Sequence, residues 1–404
     1  MSYLSEGSGR FAPKPLATAV LALIAVLAMV YILPKALSTA DGLDFRLVWL
    51  AGSMWSTGAD PYSAAFLARY VEAFGPGPVT HFWVYPPHWF PLAVPLSHLP
   101  FAAAVVTWKL LSVLALIAGT WLTALALDRV KPLPLFLGGL SLVCFMQGTA
   151  VAISIGQTST LLLLALGLLL FGLARSNTPA MMAAIVLGSL KPNIGITIAA
   201  MVLARGFWQP IVGSLAIIVA AAVPVFTSNG TLATLKSFAS NIERYSGPGL
   251  DANNPPDLTG ISHIFDLATG QAIPSIGLAL AAALISLLVC WRAPRDQVPN
   301  LVKVNLCVAI LLVLTPLHSY DMMLVVVVAM AAMSMRHASR WIVLAGVALM
   351  ARSANLAILT GLHHPRTTIF MGSLIDSIGL VTIAVGCLWL TLGRTVRVRA
   401  HALT

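Results

Sequence analysis

Carboxylates suited to proton transfer follow directly on the first apolar run of this sequence. Asp41 and Asp44 fall within the segment Asp41-Gly42-Leu43-Asp44-Phe45-Arg46. A carboxylate in a partly apolar setting has a raised basicity and can accept a proton from a hydroxyl group. The same pattern is typical of a helix N-cap or a solvated turn, so both interpretations stay open on spacing alone.

Lys191 and a seven-residue turn offer groups that could bind a phosphate. Lys191-Pro192-Asn193 lies at the centre of the apolar stretch 179–204, where a lysine is costly and marks a functional site by default. A purely structural ion pair is the alternative. The turn Thr315-Pro316-Leu317-His318-Ser319-Tyr320-Asp321 separates two very apolar segments, and its His318 could bind a phosphate or position a hydroxyl.

Three further segments carry polar or aromatic groups between apolar runs. Gly156-Gln157-Thr158-Ser159 needs partners from protein, water or ligand, with a helix cap as the commoner explanation. The stretch from Trp83 to Trp89 predicts a rigid interfacial segment, either an aromatic belt or a lipid or sugar contact. Gly58-Ala59-Asp60-Pro61-Tyr62 predicts a turn into a short amphipathic helix over 63–74, with Asp60 as a structural cap.

The amino-acid composition indicates which class of protein carries these groups. Of 404 residues, 59% are apolar and 9% are charged, against roughly 25% charged in soluble domains. This excludes a water-soluble globule and predicts an all-α polytopic membrane protein, a single integral membrane domain over 1–404. The four cysteines lie inside apolar runs without metal-site spacing, and are interpreted as inert.

Hydropathy predicts about ten full transmembrane helices, a re-entrant broken helix pair and two long loops. The spans are expected at about 16–34, 101–127, 133–150, 158–174, 210–227, 274–291, 299–316, 322–335, 341–359 and 370–391. The first span is interpreted as a retained helix preceded by Arg10 and Lys14, since it is longer than a signal-peptide core. The loops, about 35–100 and 228–272, are longer than a helix hairpin needs and are therefore candidate functional loops.

The distribution of charge predicts the orientation. Treating 179–204 as a re-entrant pair broken at Lys191-Pro192 puts most of the 23 Lys and Arg residues on one face. Both termini are then cytoplasmic. Most acidic residues and histidines fall on the extracytoplasmic face together with both long loops, which predicts an enzyme active site there. A secondary transporter is the main rival, although Asp376 is the only acid inside a predicted span and no internal repeat is found.

Several of these segments, in this order, resemble glycosyltransferase family 87, the DUF2029 group. The resemblance rests on Asp44-Phe45, Ala51-Gly52, Gly58 with Asp60-Pro61-Tyr62, Tyr85-Pro86-Pro87, Gly156-Gln157, Lys191-Pro192 and the turn from Thr315 to Asp321. It implies a GT-C-like fold and transfer of a sugar, mannose first among hexoses and pentoses, from a polyprenyl-phosphate donor. The acceptor would be a hydroxyl of a glycolipid or glycan on the extracytoplasmic face of the plasma membrane. A transporter or flippase of a lipid-linked sugar is the alternative.

The resemblance also implies roles for individual residues. Asp44 matches the family's catalytic aspartate and would act as general base in a single displacement that inverts the anomeric carbon. Donor phosphate or sugar contacts are expected from Lys191, His318, Arg46, Gln157 and Asp321. Lipid or acceptor contacts are expected from Tyr62, Tyr85 and His88. No DxD motif occurs, so neither a metal nor another cofactor is expected. The stretch from Asn253 to Asp257 matches nothing in the family and is a candidate acceptor-binding segment.

Overall fold

Helices make up nearly all of the regular structure of the chain. The computed structural model describes residues 15–40, 42–76, 82–128, 130–246, 258–271, 273, 275–291, 299–335, 337–359 and 365–401. Arg10, Lys14, Asp41 and the segment from Asn253 to Asp257 lie outside these ranges.

Nineteen α-helices occur in the described ranges. In chain order they are α1 (Pro15–Leu37), α2 (Leu43–Ser56), α3 (Ala65–Phe74), α4 (Phe90–Ser97), α5 (Phe101–Leu127), α6 (Pro132–Phe145), α7 (Gln147–Ile155), α8 (Ser159–Arg175), α9 (Thr178–Gly188), α10 (Pro192–Ala204), α11 (Trp208–Asn229), α12 (Thr231–Ser246), α13 (Ile261–Thr269), α14 (Ser275–Trp291), α15 (Pro299–Leu314), α16 (Val326–Met333), α17 (Arg340–Ala351), α18 (Ser353–Leu359) and α19 (Pro365–His401). Two 3-10 helices, Pro87–Trp89 and Ser319–Val325, precede α4 and α16.

The prediction of an all-α membrane protein is confirmed, but the count of about ten full spans is not. Among the described residues, four helices are long and apolar enough to cross a membrane, and two bent pairs raise the number to six. The four lie in α1, α5, α11 and Met371–Thr391 of α19. Other predicted spans are helices of 10–17 residues, shorter than the roughly 20 residues that a perpendicular crossing needs.

Helix breaks account for much of this difference. The predicted span 133–150 is divided between α6 and α7, which bend by 68° at Met146. The predicted span 341–359 is divided between α17 and α18, which bend by 70° at Arg352. The break expected at Lys191 is present, since α9 ends at Gly188 and α10 begins at Pro192. Proline fits the first turn of α10 because it lacks the amide that an interior position needs. Whether the pair re-enters the membrane stays a prediction.

Small residues bring the central helices close together. A Cβ placed on Gly167 of α8 would lie 2.4 Å from the carbonyl oxygen of Gly119 in α5, so only glycine permits this approach. Contacts of this kind replace the hydrophobic driving force that is missing between helices in lipid. Next to them, the segment from Met322 to Ala332 is buried throughout, so it forms the centre of the bundle.

The first long loop folds into a compact aromatic body. Its α2, α3 and α4 and the 3-10 helix Pro87–Trp89 bury a second apolar cluster with part of α5. We call the aromatic cap the side chains of Phe45, Trp55, Trp83, Tyr85, Trp89 and Trp108, whose neighbouring rings lie 5.0–6.1 Å apart. The predicted amphipathic helix over 63–74 corresponds to α3 and buries Phe66 and Tyr70 in the same cluster.

The end of the second long loop is held against the turn at His318 by a two-stranded antiparallel sheet. Strand β1 (Leu258–Thr259) pairs with β2 (Leu317–His318), with Leu258 opposite His318 and Thr259 opposite Leu317. The Thr259 hydroxyl donates to the Leu317 carbonyl at 2.9 Å. This small sheet is the only exception to the all-α prediction within the described ranges, and it links the second loop to the turn that carries His318.

Candidate active site

Asp44 lies in the first turn of α2, and the preceding glycine determines its position. Gly42 has φ of 58°, a left-handed conformation that glycine adopts without a Cβ penalty. A Cβ there would also lie 2.6 Å from the Val105 side chain. The Gly42 amide donates to the Ser154 carbonyl of α7 at 3.0 Å, so the start of α2 is attached to the end of α7.

Gln157 joins Asp44 to the turn that contains Tyr320. Its side-chain amide donates to the Asp44 carboxylate and to the Tyr320 hydroxyl, the latter at 3.0 Å. The contact depends on Gly156, which ends α7 with φ of 77° and has its Cα so close to Phe45 that a Cβ would lie 2.6 Å from the Phe45 Cβ. The Gly156 carbonyl also accepts a bond from the Trp108 indole at 2.8 Å. Gln157 is thus held in place to orient the carboxylate.

Lys191 forms an ion pair with Asp321 beside this group. The Lys191 ammonium lies 2.9 Å from both carboxylate oxygens of Asp321, and the carboxylate is fully buried. Ser159, in the first turn of α8, donates to Asp321 at 2.6 Å, and the His318 backbone amide approaches it at 3.4 Å. Asp321 is therefore a buried structural acceptor, which favours an organising role over a second catalytic base.

Tyr320 connects the Asp44–Gln157 pair with the Lys191–Asp321 pair. The Lys191 ammonium lies 5.4 Å from the centre of the Tyr320 ring, within cation–π range, and the His318 ring stacks on the Tyr320 ring with centres 4.9 Å apart. We call Asp44, Gln157, Ser159, Lys191, Tyr320 and Asp321 the polar cluster. It contains two carboxylates, a lysine and a phenol, which suffices for proton acceptance and for stabilising a negative leaving group.

Arg46 is not brought to this cluster by any described contact. Its guanidinium lies 5.3 Å from the centre of the Phe74 ring of α3. Asp44 and Arg46 are two residues apart in one helix, and positions so spaced do not face each other. The expectation that Arg46 contacts the donor therefore gains no support from its neighbours.

The three residues predicted to contact lipid or acceptor lie in or beside the aromatic cap, and that role stays a prediction. The Tyr62 hydroxyl donates to the Tyr85 carbonyl at 2.8 Å, and Tyr62 is buried. Burial raises the pKa of this phenol. Tyr85 is half-buried against Trp83 and Trp89, with ring centres 5.0 and 5.2 Å away. Asp60 has the predicted structural role, but in the turn before α3, where its carboxylate accepts from the Tyr62 amide at 2.9 Å; the N-cap of α3 is Ala64.

His88 holds the segment that leads into Lys191. Its Nε2 lies 3.0 Å from the Ser189 hydroxyl, and the neighbouring Trp89 indole donates to the Leu190 carbonyl at 3.2 Å. Burial lowers the pKa of His88 to about 4, so the imidazole is neutral near pH 7. His88 and Trp89 thus position the residues immediately before Lys191.

Lys109 is a buried cation that the sequence reasoning did not select. Its ammonium donates to the carbonyls of Ser38 and Ala40 at 3.0 and 2.9 Å, just beyond the end of α1. It thereby fixes the segment that enters α2 and carries Asp44. The signal was available, because a lysine within the apolar run 101–127 is as costly as Lys191. Tyr320 and Ser159 were also not selected, although both lie in segments that the sequence marked as polar.

The four cysteines are free and buried, with the sulfur atoms of Cys290 and Cys307 3.5 Å apart. In the part of the chain that the structure describes, no group of three or more His, Cys, Asp or Glu side chains could hold a metal ion. The expectation of a metal-independent reaction stays a prediction.

Comparison with known proteins gives one finding. The model of glycosyltransferase family 87 matches residues 83–316, more than half of the chain. The matched range contains Gln157, Ser159 and Lys191 but not Asp44, Tyr320 or Asp321. No curated protein and no solved structure gives a significant match.

Proposed function

The chain belongs to glycosyltransferase family 87 and is a multi-pass membrane glycosyltransferase, and on that premise we propose a polyprenyl-phosphate sugar as its donor. The sugar is a hexose or pentose, with mannose the first candidate. The acceptor is a hydroxyl of a glycolipid or glycan on the extracytoplasmic face of the plasma membrane, and both termini are cytoplasmic. The observation that carries the proposal is the contact chain from Asp44 through Gln157 and Tyr320 to Lys191.

Asp44 is the proposed general base. The acceptor oxygen attacks the anomeric carbon as the carboxylate takes its proton, and the bond from that carbon to the phosphate oxygen breaks with its electron pair leaving on the phosphate. One displacement inverts the anomeric carbon. Gln157 supports this role because the hydrogen bond from its side-chain amide to the Asp44 carboxylate fixes the orientation of the carboxylate before the acceptor binds.

Lys191 and His318 are proposed to stabilise the leaving phosphate. A lysine ammonium has three donors, and two of them point at the oxygens of Asp321. The Lys191 side chain retains 14% exposure, which supports access of its third donor to a phosphate. The His318 ring stacks on the Tyr320 ring, whose centre lies 5.4 Å from the Lys191 ammonium. A fixed positive charge near the leaving phosphate oxygen stabilises the negative charge that develops there, and such stabilisation is usually the largest contribution to catalysis.

Activity assays on purified, lipid-reconstituted protein test the proposal. The protein is incubated with labelled polyprenyl-phosphate sugars and a membrane-lipid extract, in parallel with Asp44→Asn and the matched variant Asp60→Asn. We expect a labelled product from wild type, a rate lower by about 10²–10⁴ for Asp44→Asn, and near-normal activity for Asp60→Asn, whose carboxylate only caps a turn.

Two results would contradict this. Full activity of folded Asp44→Asn would remove Asp44 as the base. Movement of a lipid-linked sugar across the bilayer without a new covalent bond would favour the transporter or flippase instead.

A further inference from the structure

Basic and aromatic side chains also gather at the end of α1. Tyr31 and Lys35 are one turn apart, and the Lys35 ammonium lies 5.3 Å from the centre of the Tyr31 ring. The Arg352 guanidinium lies 5.4 Å from the same ring and 4.6 Å from the Phe145 ring. Two cations thus converge on one tyrosine, and we call Tyr31, Lys35, Phe145 and Arg352 the basic–aromatic patch.

Helix breaks bring these residues together. Phe145 is the last residue of α6, at the 68° bend into α7. Arg352 is the single residue between α17 and α18, at the 70° bend. An arginine at such a break in an apolar region is expensive, so its placement calls for a partner that offsets the cost.

The patch opens toward the bilayer. Helix α1 is largely exposed on the surface of the bundle, and in the patch Tyr31 is 43% and Phe145 55% exposed. A helix of 23 residues is about 34 Å long and covers the roughly 30 Å hydrocarbon core. Tyr31 and Lys35, in its last two turns, therefore lie at the depth of the lipid headgroups, where tyrosine and lysine are favoured.

The patch carries positive charge that no described carboxylate neutralises. Within the ranges given above, the only ion pair is Lys191–Asp321, so neither Lys35 nor Arg352 is paired with an acid there. Aromatic rings attract a cation but carry no net charge. A guanidinium fork with an ammonium close by suits a phosphate, which can accept several charged hydrogen bonds at once.

We propose that the basic–aromatic patch binds the phosphate headgroup of an anionic glycerophospholipid from the surrounding bilayer. Bulk lipid fits better than the sugar donor, because the patch faces outward on α1 and none of its contacts reaches the polar cluster. The bound lipid steadies the end of α1 at Lys35, three residues before Ser38, whose carbonyl accepts a hydrogen bond from Lys109. The proposal does not depend on the identity of the transferred sugar.

Native mass spectrometry of the full chain with added phosphatidylglycerol tests the site. We expect retention of phosphatidylglycerol over phosphatidylcholine in wild type, and a loss of affinity of about 10-fold in the double variant Lys35→Gln/Arg352→Gln, as for loss of charged hydrogen bonds. The matched control is Lys131→Gln/Arg175→Gln, which removes the same charges elsewhere. Equal retention by both double variants would overturn the proposal.

Crosslinking of wild type avoids any folding defect of the variants. A phosphatidylglycerol with a photoreactive headgroup should label peptides that contain residues 31–35, 145 or 352. Labelling only elsewhere would overturn the proposal. So would displacement by an equal concentration of inorganic phosphate, which would indicate a free-anion site, or preferential displacement by polyprenyl phosphate, which would assign the patch to the donor.

Discussion

The aromatic cap and the polar cluster touch each other but are assembled in opposite ways. The cap takes all its rings from residues 45–108, one stretch of chain that holds α2, α3, α4 and part of α5. The polar cluster takes its six side chains from segments near residues 44, 157, 191 and 320. The cap is held by apolar burial, which tolerates small changes of shape, whereas each buried polar group in the cluster needs its own partner.

This contrast indicates which substitutions should destabilise the protein most. Loss of one partner in the cluster leaves an uncompensated buried group, while loss of one polar atom in the cap costs a single hydrogen bond. His88 lies between the two regions, because it precedes Trp89 of the cap and its ring contacts Ser189, two residues before Lys191 of the cluster. Variants in the polar cluster, at His88 and beside the aromatic cap therefore test this comparison.

The Lys191–Asp321 pair should give the largest effect. Lys191→Met leaves the fully buried Asp321 carboxylate without its cation, so we expect a loss of about 3–5 kcal/mol in the free energy of unfolding. The double variant Lys191→Met/Asp321→Leu should recover much of that loss, since no lone charge remains. Denaturation of the reconstituted variants measures it.

The same pair separates structure from donor binding. If Lys191 contacts the donor phosphate, the stable double variant still has a raised KM for the donor and an unchanged KM for the acceptor. Normal KM values for both substrates would make Lys191 a purely structural lysine.

His88 should make stability depend on pH. The unfolded histidine takes up a proton near pH 6.5, but burial holds the folded pKa at about 4, so the unfolded state binds more protons between these values. Stability is therefore retained above about pH 6.5 and lost as the pH falls toward 4, by roughly 2 kcal/mol at pH 5. Melting curves at pH 7 and pH 5 measure this.

A matched pair of variants isolates the effect. His88→Gln should flatten the dependence, whereas the exposed His98→Gln should leave it as in wild type. An unchanged slope in His88→Gln would mean that another group is responsible.

Gln157 should affect the rate more than the stability. Gln157→Leu removes the amide that orients the Asp44 carboxylate, and we expect kcat to fall by about 10-fold, the lower end of what a hydrogen bond to a charged group contributes. Steady-state kinetics, with whichever donor gives a labelled product in the reconstituted assay, measure this fall in kcat. The exposed Gln209→Leu on α11 serves as control; an equal fall in both variants would contradict a specific role for Gln157.

Tyr62 should show the smallest effect. Tyr62→Phe keeps the ring buried beside the cap and loses the hydrogen bond to the Tyr85 carbonyl, at a cost of about 1 kcal/mol in the free energy of unfolding. We expect the melting temperature to fall slightly with kcat and KM unchanged. A selective rise in the acceptor KM would instead support the prediction that Tyr62 contacts the acceptor.

The sequence predicted the family and much of the candidate site. Lys191 was selected because a lysine in an apolar stretch is costly. The roles of Asp44, Gln157 and Asp321 came from the family resemblance, and the structure brings these four residues together. Arg46, Tyr62 and His88 were selected by neighbourhood along the chain, and their described contacts lie in and around the aromatic cap. The GT-C-like arrangement and the orientation in the membrane stay predictions.

Helix continuity was predicted less well. Hydropathy averages over a window, so it registers α6 with α7, and α17 with α18, as continuous apolar runs although each pair bends sharply. The break before Pro192 was foreseen, since proline removes a donor and disfavours helix in the residue before it. No proline marks the bend at Met146 or at Arg352, although the arginine is itself a costly charge inside the apolar run 341–359.

The sequence alone determined that the chain lies in a membrane, because its apolar excess has no other stable solvent. It also determined which groups can do chemistry, since the cost of burying a polar side chain is a property of the residue. Only the tertiary structure decided which of these groups meet. Pairing Asp44 with Gln157 and Lys191 with Asp321 depends on contacts across 113 and 130 residues, and no local rule encodes such distances.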